Sequence, residues 1–293
     1  MAVDHEFGAQ HTELKLSIVE GYLKAFTRAL QPYFEQLWYI DAFAGTGSRT
    51  VRVEAREGDL FDAPAPERVE QRRGSAQIAI DVEPKFDRLV FMDTKAAHCA
   101  ALRELADRHQ DRDIAVVEGD ANRAIQSEIA WDGWKRTRAV MFLDPYGMDV
   151  EWATLKAIAA TKAIDVWFLF SLSGLYRQAT RRSSDIDPTK RAAITRILGT
   201  DAWERELYSE AGQSDLFDGH VVTQRTADVR GLERYVKARL ETIFPKVFEP
   251  LALPVDQKPQ HFSLFLCISN SEPKAVALAT RIADYILRMG SSS

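Results

Sequence analysis

The run Trp38-Tyr39-Ile40-Asp41-Ala42-Phe43-Ala44-Gly45-Thr46-Gly47 sets an apolar stretch directly before an acid and two glycines. Leu37 to Ile40 is short and apolar, with the aromatic and β-branched content of a strand buried on both faces of a parallel sheet. Glycine lacks a Cβ and takes positive φ freely, so Gly45 and Gly47 let the backbone turn sharply and lie close against a ligand. Asp41 falls at the carboxyl end of the strand, where open α/β sheets bind ligands. Two glycines after a strand also suit a plain tight turn, and only the rest of the chain separates the two readings.

Upstream, the spacing of Leu14, Ile18, Tyr22, Ala25 and Ala29 predicts a helix over residues 12–30, with Thr12 as N-cap and Pro32 ending it. Downstream, residues 49–73 are polar, with Pro64 and Pro66, and read as an insertion carrying a short hairpin at 50–55. A small-residue helix opens at Gly74-Ser75. Strands follow at 88–92 ending in Asp93, at 114–117 leading to Glu118-Gly119-Asp120, at 139–143 stopping at Asp144-Pro145-Tyr146-Gly147, and at 164–170. Helical stretches at 96–109, 121–130 and 150–161 separate them. Five strands alternating with helices imply a mainly parallel, doubly wound α/β sheet with right-handed crossovers. Residues 175–245 are charged and read as a helical excursion on the same face, a substrate platform. The chain then returns to strands at 248–254 and 261–269, and a helix at 272–289 closes it. The whole, 1–293, reads as a single domain.

With 46% hydrophobic and 28% charged residues among 293, the composition is that of an ordinary globular protein. A net charge of -5 excludes a strongly basic nucleic-acid coat and leaves room for a local basic patch. Cys99 and Cys267 stand far apart, which excludes a disulfide scaffold and a cysteine-built metal site and suits a reducing compartment. The N-terminal residues carry acids and no apolar leader segment, and no apolar run reaches about 18 residues. The expectation is a cytoplasmic protein with no metal and no membrane partner.

Acids at successive strand ends beside a glycine loop suit an adenosyl ligand. The acid after the second strand can accept both ribose hydroxyls, and the one after the third an adenine amine. The nicotinamide-dinucleotide fingerprint needs a third glycine opening a helix directly and an acid about 20 residues on. Gly45-Thr46-Gly47-Ser48-Arg49-Thr50 lacks that glycine, and Asp93 lies well beyond that spacing.

Asp41-Ala42-Phe43-Ala44-Gly45-Thr46-Gly47 resembles the DxFAGxG motif of class I S-adenosylmethionine-dependent methyltransferases. Asp144-Pro145-Tyr146 resembles the [DNS]PP[YF] motif of those that methylate exocyclic amines of nucleic acid bases. Together with Gln10-His11-Thr12 and Gly74-Ser75, the chain resembles the three-Cys-motif partner proteins, methyltransferase-like proteins encoded beside a protein with three clustered cysteines. The likeness is best over residues 10–175. It implies a Rossmann-like methyltransferase sheet with a reversed last strand, S-adenosylmethionine as cofactor, the three-cysteine protein as partner and nucleic acid as substrate. The cofactor set it implies is His11, Asp41, Phe43, Gly45, Gly47, Asp93, Asp120 and Ala121. Asp41 and the glycines would hold the methionine end, Asp93 the ribose, and Asp120 with the Ala121 backbone the adenine. Asp144 and the Pro145 carbonyl would accept amine hydrogens while Tyr146 stacks on the base. One proline stands where the motif has two, so Tyr146 arrives one position early.

Plainer readings stand beside these. Asp93 and Asp120 suit helix caps, and Asp144-Pro145-Tyr146-Gly147 suits a turn. His11 and Lys15, one helical turn apart, either line the cofactor mouth or face solvent. The arginines between Arg177 and Arg196 form a solvated face or a phosphate contact. Trp131 and Trp134 read as packing residues. Three functions remain: a nucleic-acid methyltransferase, a cofactor-binding partner or sensor without turnover, and, disfavoured by the loop, a nicotinamide-linked oxidoreductase. In the first, Asp144 is expected to matter for chemistry more than for folding.

Overall fold

The structure is a computed structural model and describes residues 3–53, 68–210, 223–255 and 259–290. At its centre lie five parallel strands, β1 (Gln36–Asp41), β4 (Arg88–Asp93), β5 (Asp113–Glu118), β6 (Thr137–Leu143) and β7 (Ile164–Ser171). Between β1 and β4 the chain makes an antiparallel hairpin, β2 (Ser48–Val53) with β3 (Arg68–Arg73), which stands off the main sheet. After β7 come a short ribbon, β8 (Tyr208–Glu210) with β9 (Thr223–Arg225), and the strands β10 (Lys246–Val247), β11 (Leu251–Leu253) and β12 (Phe262–Ile268). The main sheet runs β10-β12-β7-β6-β1-β4-β5, with β11 also pairing β12, and β12 is antiparallel to β7. The mainly parallel sheet and its reversed last strand are both as expected. Strand order reverses at β1, which has β4 on one side and β6 on the other; the crevice at this switch point is where such sheets take ligands.

Ten helices are described: α1 (Val3–Leu30), α2 (Ser75–Asp81), α3 (Ala96–Asp107), α4 (Ala121–Ile129), α5 (Trp152–Ala160), α6 (Leu172–Gln178), α7 (Pro188–Leu198), α8 (Trp203–Glu206), α9 (Val229–Glu241) and α10 (Pro273–Gly290). Alternate residues of each central strand point to opposite faces, and both faces are covered. Leu37, Tyr39, Phe91, Phe142 and Trp167 pack under α1, α2 and α10. Trp38, Ile40, Met92, Met141 and Val166 pack against residues of α4, α5, α7 and α9. Each fully buried large apolar side chain contributes about 1.5–3 kcal/mol, which is why strands this apolar are stable only when covered on both sides.

Three expectations change. The first helix starts at Val3, so Thr12 lies inside it and is not its N-cap. No proline interrupts residues 3–11. The hairpin expected at 50–55 instead joins Ser48–Val53 to Arg68–Arg73, and Ala55 lies outside the described residues. The strand expected at 248–254 is two short ones along β12, because one extra residue breaks the ladder between them: Val247 lies opposite Cys267 and Leu251 opposite Leu264. Trp131 and Trp134 do pack: Trp131 stacks on Trp38 with centroids 4.6 Å apart and meets Trp134 edge-on at 5.5 Å. Among the described residues no helix is long and apolar enough to cross a membrane, and no cluster of His, Cys, Asp or Glu is arranged to hold a metal ion.

Helix α1 is fixed to the sheet by Tyr22. Its ring meets Trp167 edge-on at 5.4 Å, and its hydroxyl donates to Asp165 Oδ2 at 2.8 Å. Burial pushes the Asp165 carboxyl up to about 7, with the Tyr22 hydrogen bond and Arg138 pulling the other way. Tyr22→Phe keeps the ring and leaves this carboxyl short of a donor. The expected cost is about 1–3 kcal/mol, read as a melting temperature lower by roughly 2–10 °C.

Candidate functional site

Strand parity places the site's carboxylates. Asp41 shares a face with Leu37 and Tyr39, Asp93 with Leu89 and Phe91, and Asp144 follows Phe142 with the same parity; Leu37, Tyr39, Leu89, Phe91 and Phe142 all lie in the α1-covered core. The pairing register sets Asp41 opposite Phe142 and opposite Phe91. Asp41, Asp93 and Asp144 therefore come together at the switch point.

Each carboxylate is held differently. Asp93, 6% exposed, accepts from the Gly45 N–H at 3.1 Å and the Lys95 N–H at 2.9 Å, and His98 Nδ1 lies 3.0 Å from its Oδ2. Asp41, fully buried, accepts from the Phe43 N–H at 3.2 Å and the Tyr39 hydroxyl at 3.3 Å. Burial pushes Asp41 from its ordinary 3.8 up to about 6, against hydrogen bonds from Ser75 and Phe43 and with repulsion from Asp144 adding to the rise. Burial, and then the Asp41 charge, push the Tyr39 phenol well up, so that it stays a donor. Asp144 pairs with the ammonium of Lys15 from α1, which also lies 5.7 Å from the Phe142 ring centre. Among the described residues only one oxygen of Asp144 is engaged.

The loop between β1 and β2 is closed by the Gly47 N–H donating to Ala44 and the Gly74 N–H donating to Gly47. Gly45 and Gly47 have φ of +62° and +74°. A Cβ on Gly47 would lie 2.7 Å from a side-chain methyl of Leu105, and one on Gly74 would lie 2.8 Å from the Gly47 carbonyl, so Gly74 stands where another stretch of backbone passes and Gly47 where core side chains close in. A Cβ on Gly45 or Gly119 would meet no atom within 4 Å, which leaves room for a ligand over both turns. The Gly119 N–H donates to the Asp93 carbonyl at 3.0 Å and ties the β4 and β5 ends together.

Asp120 caps α4 by accepting from the Arg123 N–H at 3.1 Å, the plainer of its two readings, while its side chain stays exposed beside buried Ala121. Pro145 is buried, and Tyr146 is 79% exposed with the Lys95 ammonium 5.1 Å from its ring centre, so the β6 loop reaches across to the β4 loop. Phe43 is half-buried and contributes its backbone N–H. His11 lies in α1 one turn before Lys15, and its side chain is outside those described. Tyr39, Ser75, Lys95 and His98 lie outside the sequence-derived set, and Lys15, for which the sequence leaves two readings, joins the site. Lys15 carries a signal: it falls on the stripe of Val19, Tyr22 and Phe26, where a charge is costly unless paired.

The sequence matches no protein-family model and no curated protein sequence. Among solved structures, a Legionella pneumophila protein of the DUF519 family model is similar at 11% identity over 90% of this chain and 89% of that one, TM-score 0.48. An S-adenosylmethionine-dependent methyltransferase from Clostridium acetobutylicum is similar at 11% identity over 85% and 91%, TM-score 0.37. The N-terminal domain of EvdMO1 with SAH bound is similar at 13% identity over 83% and 77%, TM-score 0.38. All three scores lie below 0.5, and the class of fold is defined by this chain's own strand order.

Two stability measurements follow from the site. The folded protein keeps a proton on Asp41 up to about pH 6, whereas the unfolded chain releases it near 3.8. Between those values the folded state binds more protons, so this group's contribution falls as pH rises and its full cost is present above about 6. Asp41→Asn is expected to melt at or above the wild type at pH 8, by an amount on the order of 3 kcal/mol at most, with the difference closing toward pH 4. A wild type that gains on the variant between pH 4 and 6 would contradict the assignment.

The Lys15 pair also revises the expectation for Asp144. Lys15 is 7% exposed, so Asp144→Ala strands an ammonium and is expected to cost about 1–3 kcal/mol, discounted for the partial exposure of Asp144. Asp144→Asn keeps an acceptor oxygen for Lys15 and should melt measurably higher than Asp144→Ala.

Proposed function

We propose that the protein is an S-adenosylmethionine-dependent methyltransferase acting on an exocyclic amine of a nucleic acid base. The observation that carries this reading is the convergence of Asp41, Asp93 and Asp144 on one face at the switch point, with the Gly45 N–H bonded to Asp93. The donor set fits an adenosyl ligand. Asp93 keeps acceptor capacity beyond its present partners, since a carboxylate offers about four lone-pair sites. Asp41 with Phe43, Gly45 and Gly47 would hold the methionine end, Asp93 the ribose, Asp120 and the Ala121 backbone the adenine, and His11 would stand at the mouth.

The cofactor supplies an electrophilic methyl group. Methyl transfer then asks the protein mainly for in-line placement and a nucleophile whose lone pair is available. Asp144, turned by Lys15, would present its other oxygen, and with the Pro145 carbonyl accept the amine hydrogens. Tyr146, exposed and proline-anchored, would stack on the base. A three-cysteine-motif protein is the proposed partner. One observation favours a second reading: the Lys15 ammonium already occupies Asp144, which also suits a cofactor-binding partner or sensor without turnover.

Calorimetry is expected to show binding of S-adenosylmethionine and its demethylated product, with no binding of NAD. Asp93→Asn, which retains an acceptor for Gly45, should weaken that binding at least about tenfold, roughly the 1.4 kcal/mol of a charge-assisted hydrogen bond. Label from tritiated cofactor should pass to a pool of RNA or DNA and be lost in Asp144→Asn with cofactor affinity retained. Cofactor binding with no transfer, with or without the three-cysteine partner, would select the second reading. Tight NAD binding would sink both.

A further inference from the structure

The arginines after β7 are not absorbed by the site. Some surface cations are paired, such as Arg103 with Glu118, Lys85 with Asp111, Arg191 with Glu204, and Arg73 with Glu20 and Asp81, while others, such as Arg108, Arg123 and Lys156, stand singly without an ion pair among the described residues. Arg177, Arg181 and Arg182 are exposed, and among the described residues none of them has a carboxylate within ion-pair distance. The fold gathers a fourth with them. The Arg225 N–H of β9 donates to the Arg181 carbonyl at 2.8 Å, and Arg182 bridges to Gln224.

Arg225 is the informative member. Its guanidinium lies 3.8 Å from the centre of the Tyr176 ring, and Tyr176 is 43% exposed. Its Nε and one terminal nitrogen are buried with no hydrogen-bond partner. A guanidinium with donors left over is costly unless an acceptor arrives, and its flat fork matches an anionic oxygen pair. Asp185, three residues on from Arg182, accepts from the Ser184 hydroxyl at 3.1 Å.

The cluster is also placed where a substrate would pass. Helix α6, which carries Tyr176 and Arg177, starts directly from the carboxyl end of β7. A Cβ on its Gly174 would lie 3.3 Å from Met148, just beyond Tyr146. In a chain of net charge -5, arginines gathered on the segment that follows β7 form a local field suited to a polyanion.

We propose that Arg177, Arg181, Arg182 and Arg225 form a track for the phosphodiester backbone of a nucleic acid strand, leading to the base that Tyr146 receives. This rests on the nucleic-acid reading of the site. It assigns affinity to the arginines and base placement to Tyr146, since backbone contacts fix position without reading sequence.

The test is fluorescence anisotropy of a labelled mixed-sequence oligonucleotide, as single-stranded RNA and DNA and as duplexes, across a salt series. The triple variant R177Q/R181Q/R182Q, with and without Arg225→Gln, is compared with Arg103→Gln as a paired-arginine control. The triple variant should bind about tenfold or more weakly, and its salt slope should fall by roughly 2 for a single strand, about 0.7 per lost contact. Its melting temperature and affinity for S-adenosylmethionine should hold. Lysines at the same three positions should restore binding to within about threefold. Unchanged oligonucleotide binding by the glutamine variants, beside a wild type that binds, would overturn the track and leave the methyltransferase reading standing. A wild type that binds S-adenosylmethionine and no oligonucleotide would overturn the nucleic-acid reading and the track with it.

Discussion

Carboxylates set side by side at neighbouring strand ends repel one another and lose hydration as the sheet is covered. Asp41, Asp93 and Asp144 meet this constraint in three ways. Asp93 is surrounded by backbone N–H donors, whose partial charges are fixed in place by the β1 loop and the start of α3. Asp144 takes a full positive charge from Lys15. Asp41 has only hydroxyls and one amide, and its proton is accordingly held to a higher pH. A protein selected for stability alone would not gather three acids here, because burying a charge costs more than a hydrogen bond between neutral groups returns. Three acids gathered at the switch point at a cost in stability accord with the proposed ligand site there.

The glycine loop follows from the same constraint. For the Gly45 N–H to reach Asp93, the chain must leave β1 and bend back across the end of β4, and two residues of positive φ accomplish this. Gly74 then passes so close to Gly47 that α2 begins where the loop ends. The hairpin between them is an excursion that does not disturb the closure.

The central strands are legible because parallel strands covered on both faces leave unbroken apolar runs, and Ile40-Asp41 or Leu143-Asp144 marks where each run meets the crevice. The reversed β12 is not legible from periodicity, since a buried strand reads the same in either direction; the family resemblance supplies it. The full extent of α1 escapes the pattern because Thr12, a good cap, is also tolerated within a long helix. The hairpin partner of Ser48–Val53 lies across a polar stretch that pattern alone does not span. For Lys15 the sequence leaves the cofactor mouth and solvent equally open. Its pairing with a residue 129 positions away is a tertiary fact with no local trace beyond an odd charge on an apolar stripe. The ribbon of β8 and β9 is too short to leave any pattern, and with it the convergence of Arg225 on Arg181 stays hidden.

Helix α1 carries Tyr22, bonded to Asp165 beneath the sheet's α10 side, and about two turns earlier Lys15, bonded to Asp144 at the crevice. A helix is stiff over that distance, so the two contacts share one register. Sliding the helix by a single residue would rotate both side chains by about 100° and break both bonds together. The first segment of the chain thus acts as a gauge rod: its anchored end, deep in the apolar core, sets where a charge comes to rest at the other. Whatever loosens the anchor is felt at the acid beside the crevice, without any change in the acid's own strand.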